Sequence, residues 1–421
     1  MEDPVNLLHL AQTISDLTTR VHERLRVIAQ LESVPYHDLL AGGEDPELQA
    51  IKSSLNDVIQ DFQLLVNGPR AALRSLYGSH YDLAAHQVAL EFKLFEKVPL
   101  EGAISLGDLA SSTDLSPDVV GRVLRLLATQ RVFQETQKNM FAHSILSATI
   151  AKEKDLEASF HMQVDEVFQA ASGTAKYLRQ SPVTLDGAHC PFSTRFGTSI
   201  YEYYQLHPEK GARFGRALAG ATQLDRDVNA LCYQYDWQSF QNGTVVDVGG
   251  ADGAVSLILA KDKKWPHLSF IIQDASATLL SQGRDQLPAE YESRFMFQEY
   301  DFFTPQPVTN AELFLIRQCL HNWADEDCVK ILRGFVPALE KCKEGTPLII
   351  NESILPDLGS ISKYQERLLR HVDMSMLINV GGRQRSADDF RKICKDADER
   401  LEIVKVYNTG SMGLLELKLL K

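Results

Sequence analysis

The chain lacks the features that would place it in a membrane, in the secretory pathway or among zinc-binding proteins. No stretch of its 421 residues approaches the ~20 consecutive apolar residues that a membrane-crossing helix needs. The N-terminal sequence MEDPVNLLHL is acidic and lacks the basic start of a signal peptide. The six cysteines, at positions 190, 232, 319, 328, 342 and 394, show no CxxC or metal-finger spacing, which predicts free thiols in a reducing compartment. We therefore expect a cytoplasmic protein without a membrane partner or a bound metal.

Positive charge is also scarce. Lys and Arg number 43 against 56 Asp and Glu, and the formal net charge is −13, which opposes binding to a polyanion such as nucleic acid. Hydrophobic residues make up 44% of the chain, enough to fill the interior of a globular protein. Because a domain holds about 150 residues, the length predicts two or three domains.

The N-terminal part, residues 1–75, predicts a helical arm. Residues 1–32 and 47–66 both carry apolar residues at helical spacing, and AGGEDP interrupts the pattern between them. The apolar stripes of such an arm have no evident partner within the chain. We therefore expect a second copy of the protein to cover them.

Residues 76–150 read as several helices followed by a short hairpin, which is the winged-helix pattern. DNA binding is the functional alternative for such a segment. From Asp82 to Lys138, however, there are eight acidic residues and six Lys plus Arg, and the helix in the recognition position carries only Arg122 and Arg125. A structural role is therefore favoured, and a winged-helix regulator is the least favoured hypothesis for the whole protein.

The remaining chain divides into a helical segment and an α/β domain. Residues 151–235 are mostly helical in pattern and predict a linker. In residues 236–421, short β-rich runs such as TVVDVGG, LSFIIQD and TPLIINES alternate with amphipathic helical stretches. This alternation predicts a doubly wound, mostly parallel, seven-stranded sheet, with LEIVKVYN and GLLELKLL as an antiparallel hairpin at one edge.

Three strand ends carry residues suited to a nucleoside. In VVDVGGADGAVSLILAK, a strand that ends near Asp247 leads through a glycine turn into a helix, and such a turn lets ligand atoms lie against the backbone. Asp274 ends the next strand, about where a carboxylate would meet a ribose diol, although a helix cap explains it equally well. YDFF, residues 300–303, supplies an acid and aromatic rings for an adenine, with core packing of the two Phe side chains as the alternative.

The motifs DVGGADG, QDAS, YDFFTP, RQCLHNWADED and NESILPD occur in an order that resembles the plant-type and fungal polyketide O-methyltransferases, over roughly residues 80–421. That family consists of class I S-adenosylmethionine enzymes with a winged-helix dimerisation domain. The resemblance therefore implies a homodimer, S-adenosylmethionine as the cofactor, and an aromatic or polyketide small molecule as the substrate. The family's GGGxG becomes GGADG in this chain, and we expect Ala251 to cost little on the assumption that its φ is negative.

Within this resemblance, the glycine turn and the strand ends hold the cofactor. The implied contacts are Asp247, Gly249, Gly250, Asp274, Asp301, Phe302, Arg317 where relatives often have Lys, and Thr222 in the preceding helix. The implied substrate-facing residues are Met374 and Met376 in DMSMLINVGG, together with Met162 in FHMQVDEVF, which makes residues 151–235 a substrate-pocket segment as well. Methionine suits a flat aromatic ring, but methionines at this spacing are also ordinary core residues.

His321, in CLHNWADEDC, has three interpretations. The resemblance assigns it as a general base, a role that fits because a phenol with a pKa near 10 reacts poorly until a base removes its proton, and histidine titrates in the right range. Metal ligation is disfavoured because no second His or Cys stands three or four residues further on. A hydrogen-bonded core histidine remains the alternative.

The resemblance also assigns partners to this histidine. Glu352, at the end of PLIINES, is implied to orient the base. A second acid is expected within GGRQRS, where this chain has Gln384. Glutamine accepts a hydrogen bond but cannot stabilise an imidazolium by charge, so we expect the base to be weaker or to depend on Glu352 alone. The change also leaves open a pericyclic or dehydration reaction on the same fold, in which S-adenosylmethionine stays bound as a cation.

Overall fold

The computed structural model describes residues 7–32, 45–180, 186–225, 228, 230–237, 240, 243–262 and 265–420. The chain forms two compact units. The first contains residues up to Leu94, Gly102–Ala142 and Asp357–Arg370, and the second contains Phe95–Glu101, His143–Pro356 and the residues from His371 onward. Most of the predicted interruption in the arm, residues 41–44, lies outside the described residues.

The first unit begins with two long helices. α1 spans Leu7–Glu32, and α2 spans Pro46–Glu91. The second helix is longer than the sequence pattern predicted, because the chain resumes helical geometry after a kink at Gly68, whose φ is 73°. A small apolar cluster joins α1 to α2.

A winged-helix arrangement follows α2, as predicted. Its elements are α3 (Leu94–Lys97), β1 (Ile104–Ser105), α4 (Leu106–Ser111), α5 (Pro117–Thr129), β2 (Phe133–Gln137) and β3 (Met140–His143). The three strands pair in the order β1-β3-β2. The two arginines of α5 contact acids, since Arg122 pairs with Asp118 and Arg125 pairs with Glu135. These pairs reduce the positive charge that a DNA-binding helix would present.

The second unit contains a helical layer and the predicted sheet. The helices before the sheet are α6 (Ile145–Lys152), α7 (Lys154–Met162), α8 (Phe168–Ser172), α9 (Thr174–Gln180), α10 (Pro191–Phe196), α11 (Ile200–Leu206) and α12 (Pro208–Asp225), with π-helical turns at Gln163–Val167 and Ala230–Gln234. The helices of the α/β part are α13 (Ala254–Lys261), α14 (Ala277–Gln286), α15 (Asp325–Leu339), α17 (Ala387–Ala397) and α16 (Lys363–Val380), of which the residues from His371 onward belong to this unit.

The sheet has eight strands, seven of them in the order β10-β11-β8-β7-β4-β5-β6. They span Gly243–Val248 (β4), Leu268–Asp274 (β5), Phe295–Glu299 (β6), Leu313–Arg317 (β7), Leu348–Leu355 (β8), Leu401–Asn408 (β10) and Gly410–Leu419 (β11), and a two-residue β9 (Arg385–Ser386) pairs with β8. β4 to β8 run parallel, whereas β11 is antiparallel to both β8 and β10. The carboxyl ends of β4, β5, β7 and β8 therefore meet at one edge.

The helical layer contains a close contact between α12 and α7. Gly220 of α12 is buried, and a Cβ at this position would lie 2.1 Å from the backbone oxygen of Asp155. Gly215, on the same helix, is exposed, and a Cβ there would meet nothing within 4 Å. A side chain would therefore clash at Gly220, whereas Gly215 has room for one.

We expect Gly220→Ala to lower the free energy of unfolding by about 1–3 kcal/mol, because α12 must move away from the α7 backbone. Gly215→Ala is the matched control, and it should raise that free energy by up to about 1 kcal/mol, since alanine favours an exposed helix interior. Urea unfolding of the two variants measures both changes. Equal effects of the two substitutions would contradict the close approach.

Candidate active site

The segment after β7 carries His321. β7 ends at Arg317, and Gln318 then adopts a left-handed φ of 52° before Leu320–Asn322 form a single 3₁₀ turn. Positive φ is uncommon outside glycine and concentrates at functional sites. His321 is buried, with 5% of its surface exposed.

Glu352, on the buried strand β8, holds this segment. Its Oε2 accepts a hydrogen bond from His321 Nδ1 at 2.7 Å, and its Oε1 accepts from the backbone N–H groups of Leu320 at 2.8 Å and His321 at 3.4 Å. Burial alone would raise the pKa of this carboxyl, but attraction to His321 and the hydrogen bonds outweigh it and hold the pKa of Glu352 below its usual value. The carboxylate is therefore ionised at neutral pH.

The ionised carboxylate decides which nitrogen of His321 carries the proton. Nδ1 donates to Glu352, so in the neutral ring Nε2 holds the lone pair. Nε2 has no hydrogen-bond partner among the residues that the structure describes. A ring in this state can accept a proton from a ligand hydroxyl.

Arg385 fixes the same segment from the other side. The side chain is fully buried and donates to the backbone oxygens of Leu320 at 2.9 Å and Trp323 at 2.7 Å, and to the carboxylate of Asp325 at 2.7 Å. Sequence reasoning did not select Arg385. An arginine whose acceptors are mostly backbone oxygens leaves no spacing pattern that would identify it.

Gln384 follows Arg383, whose backbone contacts that of His321, but the Gln384 side chain does not bind the His321 ring. The backbone N–H of Gln384 donates to Asp373 Oδ1 at 2.8 Å, and the N–H of Arg383 donates to the backbone oxygen of His321 at 3.0 Å. The carboxamide is buried, and within the described ranges neither its Nε2 nor its Oε1 has a hydrogen-bond partner. The side-chain partner of the His321 ring is Glu352.

The turn between β4 and α13 requires glycine at Gly249. Its φ is 73°, and a Cβ there would lie 2.4 Å from Cys319 Sγ. The N–H groups of Gly249 and Gly250 donate to the backbone oxygen of Gln273 at 2.8 and 3.0 Å. The turn therefore packs closely against the segment that carries His321.

Ala251 departs from the sequence expectation. We expected a negative φ, but its φ is 52°, in the left-handed region. The backbone N–H of Ala251 donates to Asp274 Oδ2 at 3.1 Å, and this contact accompanies the unfavourable conformation. A left-handed alanine costs roughly 1–2 kcal/mol, so the change from glycine to alanine carries a cost that the sequence did not indicate.

Asp247 lies beneath the turn. It is 2% exposed and accepts a hydrogen bond from Ser256 Oγ at 2.7 Å, and a Cβ at Gly250 would lie 2.7 Å from its Cγ. Burial raises the pKa of Asp247 to about 6, although the Ser256 hydrogen bond and the charge of Arg317 act in the opposite direction. These contacts favour a supporting role over direct contact with a ligand.

Asp274 lies at the same edge, at the end of β5. Its Oδ1 accepts from the N–H of Ser276 at 2.8 Å, and its Oδ2 accepts from the N–H of Ala251. Ser276, rather than Asp274, caps α14 by accepting from the N–H of Leu279 at 3.3 Å. The half-buried carboxylate has further lone pairs available for a ligand.

Aromatic rings border the turn. Phe302 is half-buried, its ring lies 3.8 Å from the position that a Cβ of Gly249 would take, and it meets Trp323 edge to face at 5.9 Å between ring centroids. Phe302 also packs against the main core, so the core alternative holds for part of its surface. Asp301 is exposed and its Oδ1 accepts from the N–H of Phe303 at 3.0 Å.

Arg317 and Thr222 have different surroundings. Arg317 donates to Asn351 Oδ1, and its charge acts on the Asp247 carboxyl beneath the turn. Thr222 is exposed, and its hydroxyl donates to the backbone oxygen of Leu218 in its own helix at 3.0 Å. The structure brings Arg317 to the site, whereas Thr222 has no described contact there.

The three methionines predicted to face a substrate are separated. Met162 and Met376 are buried in one apolar cluster, together with Tyr204 and Phe192. Met374 is 48% exposed and is not part of the cluster. Within the described part of the chain, no group of three or more His, Cys, Asp or Glu side chains is arranged to hold a metal ion. Among the described helices, none combines the length and hydropathy that crossing a membrane requires.

Two protein-family models match the chain. Residues 75–153 match an O-methyltransferase dimerisation domain, and residues 176–398 match an O-methyltransferase domain. O-methyltransferase sol2 of Alternaria solani is 40% identical over 97% of this chain and 96% of its own length. The grayanic acid biosynthesis cluster O-methyltransferase of Cladonia grayi is 31% identical over 94% of this chain and 77% of its own length.

Solved structures share the fold at low sequence identity. OxaC superposes with a TM-score of 0.77 and 21% identity, covering 98% of this chain and 99% of that chain. LepI in complex with SAM superposes with a TM-score of 0.73 and 19% identity, covering 97% of this chain and 100% of that chain.

The doubly wound sheet and the two family-model matches identify a class I methyltransferase that uses S-adenosylmethionine. The chain belongs to the O-methyltransferase family with an N-terminal dimerisation domain. It is an S-adenosylmethionine-dependent O-methyltransferase.

The raised pKa of Asp247 predicts a pH-dependent stability. The folded state binds the proton of the Asp247 carboxyl more tightly than the unfolded state does. The contribution of Asp247 to the free energy of unfolding therefore falls as pH rises from about 4 to 6 and is then constant. Asp247→Asn removes that contribution while keeping the shape. We expect the variant's stability advantage over the wild type, measured by urea unfolding without cofactor, to be larger at pH 7.5 than at pH 5. An advantage that shrank as pH rose would contradict the raised pKa.

Proposed function

We propose that this enzyme methylates a phenolic or enolic hydroxyl of an aromatic or polyketide metabolite, with His321 as the general base. The observation that carries the proposal is the buried pair of His321 and Glu352, in which Nδ1 is bound at 2.7 Å and Nε2 is left to accept a proton. Glu352 would then stabilise the imidazolium that forms, because its charge acts in a buried site. Bound S-adenosylmethionine supplies the methyl group as a sulfonium electrophile.

The cofactor is proposed to lie on the turn from Gly249 to Gly253. A ligand can approach this backbone because the turn carries only small side chains, apart from Asp252. The free lone pairs of Asp274 suit the two ribose hydroxyls, and the ring of Phe302 suits the adenine face. Asp301, exposed after β6, is proposed to accept from the adenine amino group.

Two observations support an aromatic acceptor. The chlorophenol O-methyltransferase of Trichoderma longibrachiatum, named for a phenol, is 29% identical over 97% of this chain and 89% of its own length. Met162 and Met376 lie in one apolar cluster, and thioethers pack well against aromatic rings. We therefore propose that Met162 and Met376 contact the acceptor. Met374, which is exposed, is proposed to contact it only at the solvent-facing edge of the acceptor site.

A pericyclic or dehydration reaction is the second candidate. Gln384 in place of an acid leaves it open, and a structure described as a pericyclic reaction enzyme has the same fold, with a TM-score of 0.72 and 18% identity over 97% of this chain and 100% of that chain. A pericyclic step requires no general base, whereas the ionised Glu352 and the open Nε2 of His321 are what a base requires. Methyl transfer is therefore the better supported reaction.

A homodimer is proposed from the surface of α2. Seven of its large apolar side chains are exposed, namely Leu64, Leu65, Val66, Leu73, Leu76, Tyr77 and Tyr81. Leu73, Leu76 and Tyr77 are 63–64% exposed and share one helix face. A contiguous apolar face of this kind marks a protein contact, and the dimerisation-domain match supports a second copy as the partner.

We expect His321→Ala to lower the rate of methyl transfer by about 10²–10⁴, because proton removal from the acceptor loses its base. The loss should be largest for weakly acidic phenols and smaller for acidic phenols, which ionise unaided. Transfer of a labelled methyl group to a series of substituted phenols measures this dependence.

Calorimetry with S-adenosylhomocysteine is the control, since cofactor affinity should change little in His321→Ala. Equal loss for all phenols would count against a base. A product that contains no labelled methyl, with S-adenosylmethionine required but recovered intact, would instead establish the pericyclic alternative.

The dimer is tested on α2. The double variant Leu73→Glu and Leu76→Glu should dissociate into single chains at concentrations where the wild type is dimeric, because it places charge in the apolar face. Met296→Glu, which adds a charge at a 60% exposed apolar residue of β6, is the control and should leave the mass unchanged. Sedimentation over a dilution series measures the masses. A double variant as dimeric as the wild type would exclude this face.

A further inference from the structure

The carboxamide of Gln384 is a buried polar group without a partner. The residue is 1% exposed, and neither Nε2 nor Oε1 has a hydrogen-bond partner among the described residues. Leaving a buried donor or acceptor unpaired is costly, and native proteins retain few such groups without a reason. An amide has both a donor and an acceptor, so Gln384 lacks one partner that accepts a hydrogen bond and one that donates a hydrogen bond.

Residues 382–385 run beside His321 and are held firmly. The N–H of Gly382 donates to the backbone oxygen of Met376 at 3.2 Å, and that of Arg383 donates to the backbone oxygen of His321 at 3.0 Å. A Cβ at Gly382 would lie 2.0 Å from the same His321 oxygen. The stretch therefore joins the methionine-bearing end of α16 to the segment of the base.

The side chains on either side of Gln384 are bound by one acid. Those of Arg383 and Arg385 both reach Asp325, at 3.5 and 2.7 Å. The carboxamide of Gln384, by contrast, makes no hydrogen bond to Asp325. Its backbone N–H is bound by Asp373 of α16, the helix that also carries Met376.

A second amide beside the base has an unpaired atom. Gln318 Nε2 lies 3.5 Å from Glu352 Oε2, whereas its Oε1 is buried without a partner within the described ranges. Unpaired polar atoms thus occur on both segments that contact His321. A polar ligand that reached these atoms would satisfy them, while an apolar one would leave them unpaired.

We propose that Gln384 is a specificity-determining residue that recognises an acceptor with a carbonyl beside a hydroxyl, as in a hydroxyaryl ketone or an enolised 1,3-dicarbonyl. This inference rests on the proposed function and names its substrate class. Nε2–H donates to the carbonyl oxygen, and Oε1 accepts from the neighbouring hydroxyl. An ionised glutamate at this position would have no donor and would repel the carbonyl oxygen. On this proposal Gln384 does not support His321 by charge, as an acid would, and instead recognises the acceptor.

The test compares 2,4-dihydroxyacetophenone with 4-ethylresorcinol, which lacks the carbonyl. For each acceptor, kcat/KM of the wild type is divided by that of Gln384→Met, which has a similar shape but no amide. We expect this quotient to be about tenfold or more larger for the ketone. A weaker base would instead cost the less acidic 4-ethylresorcinol more, so it would change the quotients in the opposite direction. Gln384→Glu should likewise lose more activity with the ketone.

Gln306→Met is the matched control, since Gln306 is a buried amide that pairs with Gln273 at 2.9 Å. It should reduce stability while leaving the acceptor preference as in the wild type. A positioning role of Gln384 through His321 would instead shift the pH profile equally for both acceptors. Equal quotients overturn the inference while the proposed function stands, whereas no methyl transfer by the wild type to any phenol overturns the function itself.

If Gln384→Met does not fold, Gln384→Glu supplies the same comparison. Binding of each acceptor to the wild type with S-adenosylhomocysteine, measured by calorimetry, provides an independent result. The ketone should bind about tenfold or more tightly than the alkyl analogue. Equal affinity would also overturn the inference.

Discussion

The buried carboxylate of Glu352 is the constraint on which the active site depends. A charge away from water must be compensated, and Glu352 obtains all three of its closest donors from Leu320 and His321. The same contacts therefore stabilise the charge, fix the backbone after β7 and orient the imidazole. His321 and its support form a single unit, because any shift of the 320–321 segment would leave an ionised group unpaired in the core.

Two glycines from distant parts of the chain complete this packing. Gly249 approaches Cys319, and Gly382 approaches the backbone oxygen of His321, each more closely than a Cβ would allow. Arg385 then donates to the backbone oxygens of Leu320 and Trp323, which lie between β7 and α15. The turn proposed for the cofactor and the 382–385 stretch proposed for the acceptor thus both contact the segment that carries His321.

Backbone strain is concentrated around this segment. Ala251 and Gln318 both have φ near 52°, a conformation that favours glycine. Each is held by hydrogen bonds, Ala251 to Asp274 and the N–H of Gln318 to the backbone oxygen of Asn351. The sheet can hold such residues because its strands are buried and rigid, and functional sites are where proteins accept this cost.

The sequence by itself determined the sheet and the glycine turn, whereas the pairing of His321 with Glu352 was implied only by the resemblance to the O-methyltransferases. Apolar periodicity defines the strands, and the ends of adjacent parallel strands such as β7 and β8 must meet at one edge. Only the tertiary structure decided the left-handed Ala251, the anchoring by Arg385, the exposure of Met374 and Thr222, and the unpaired amide of Gln384. Each of these depends on which backbone atoms from distant segments lie within hydrogen-bond distance or in steric contact. Local sequence carries no signal for such contacts, because any residue's backbone can supply the acceptor.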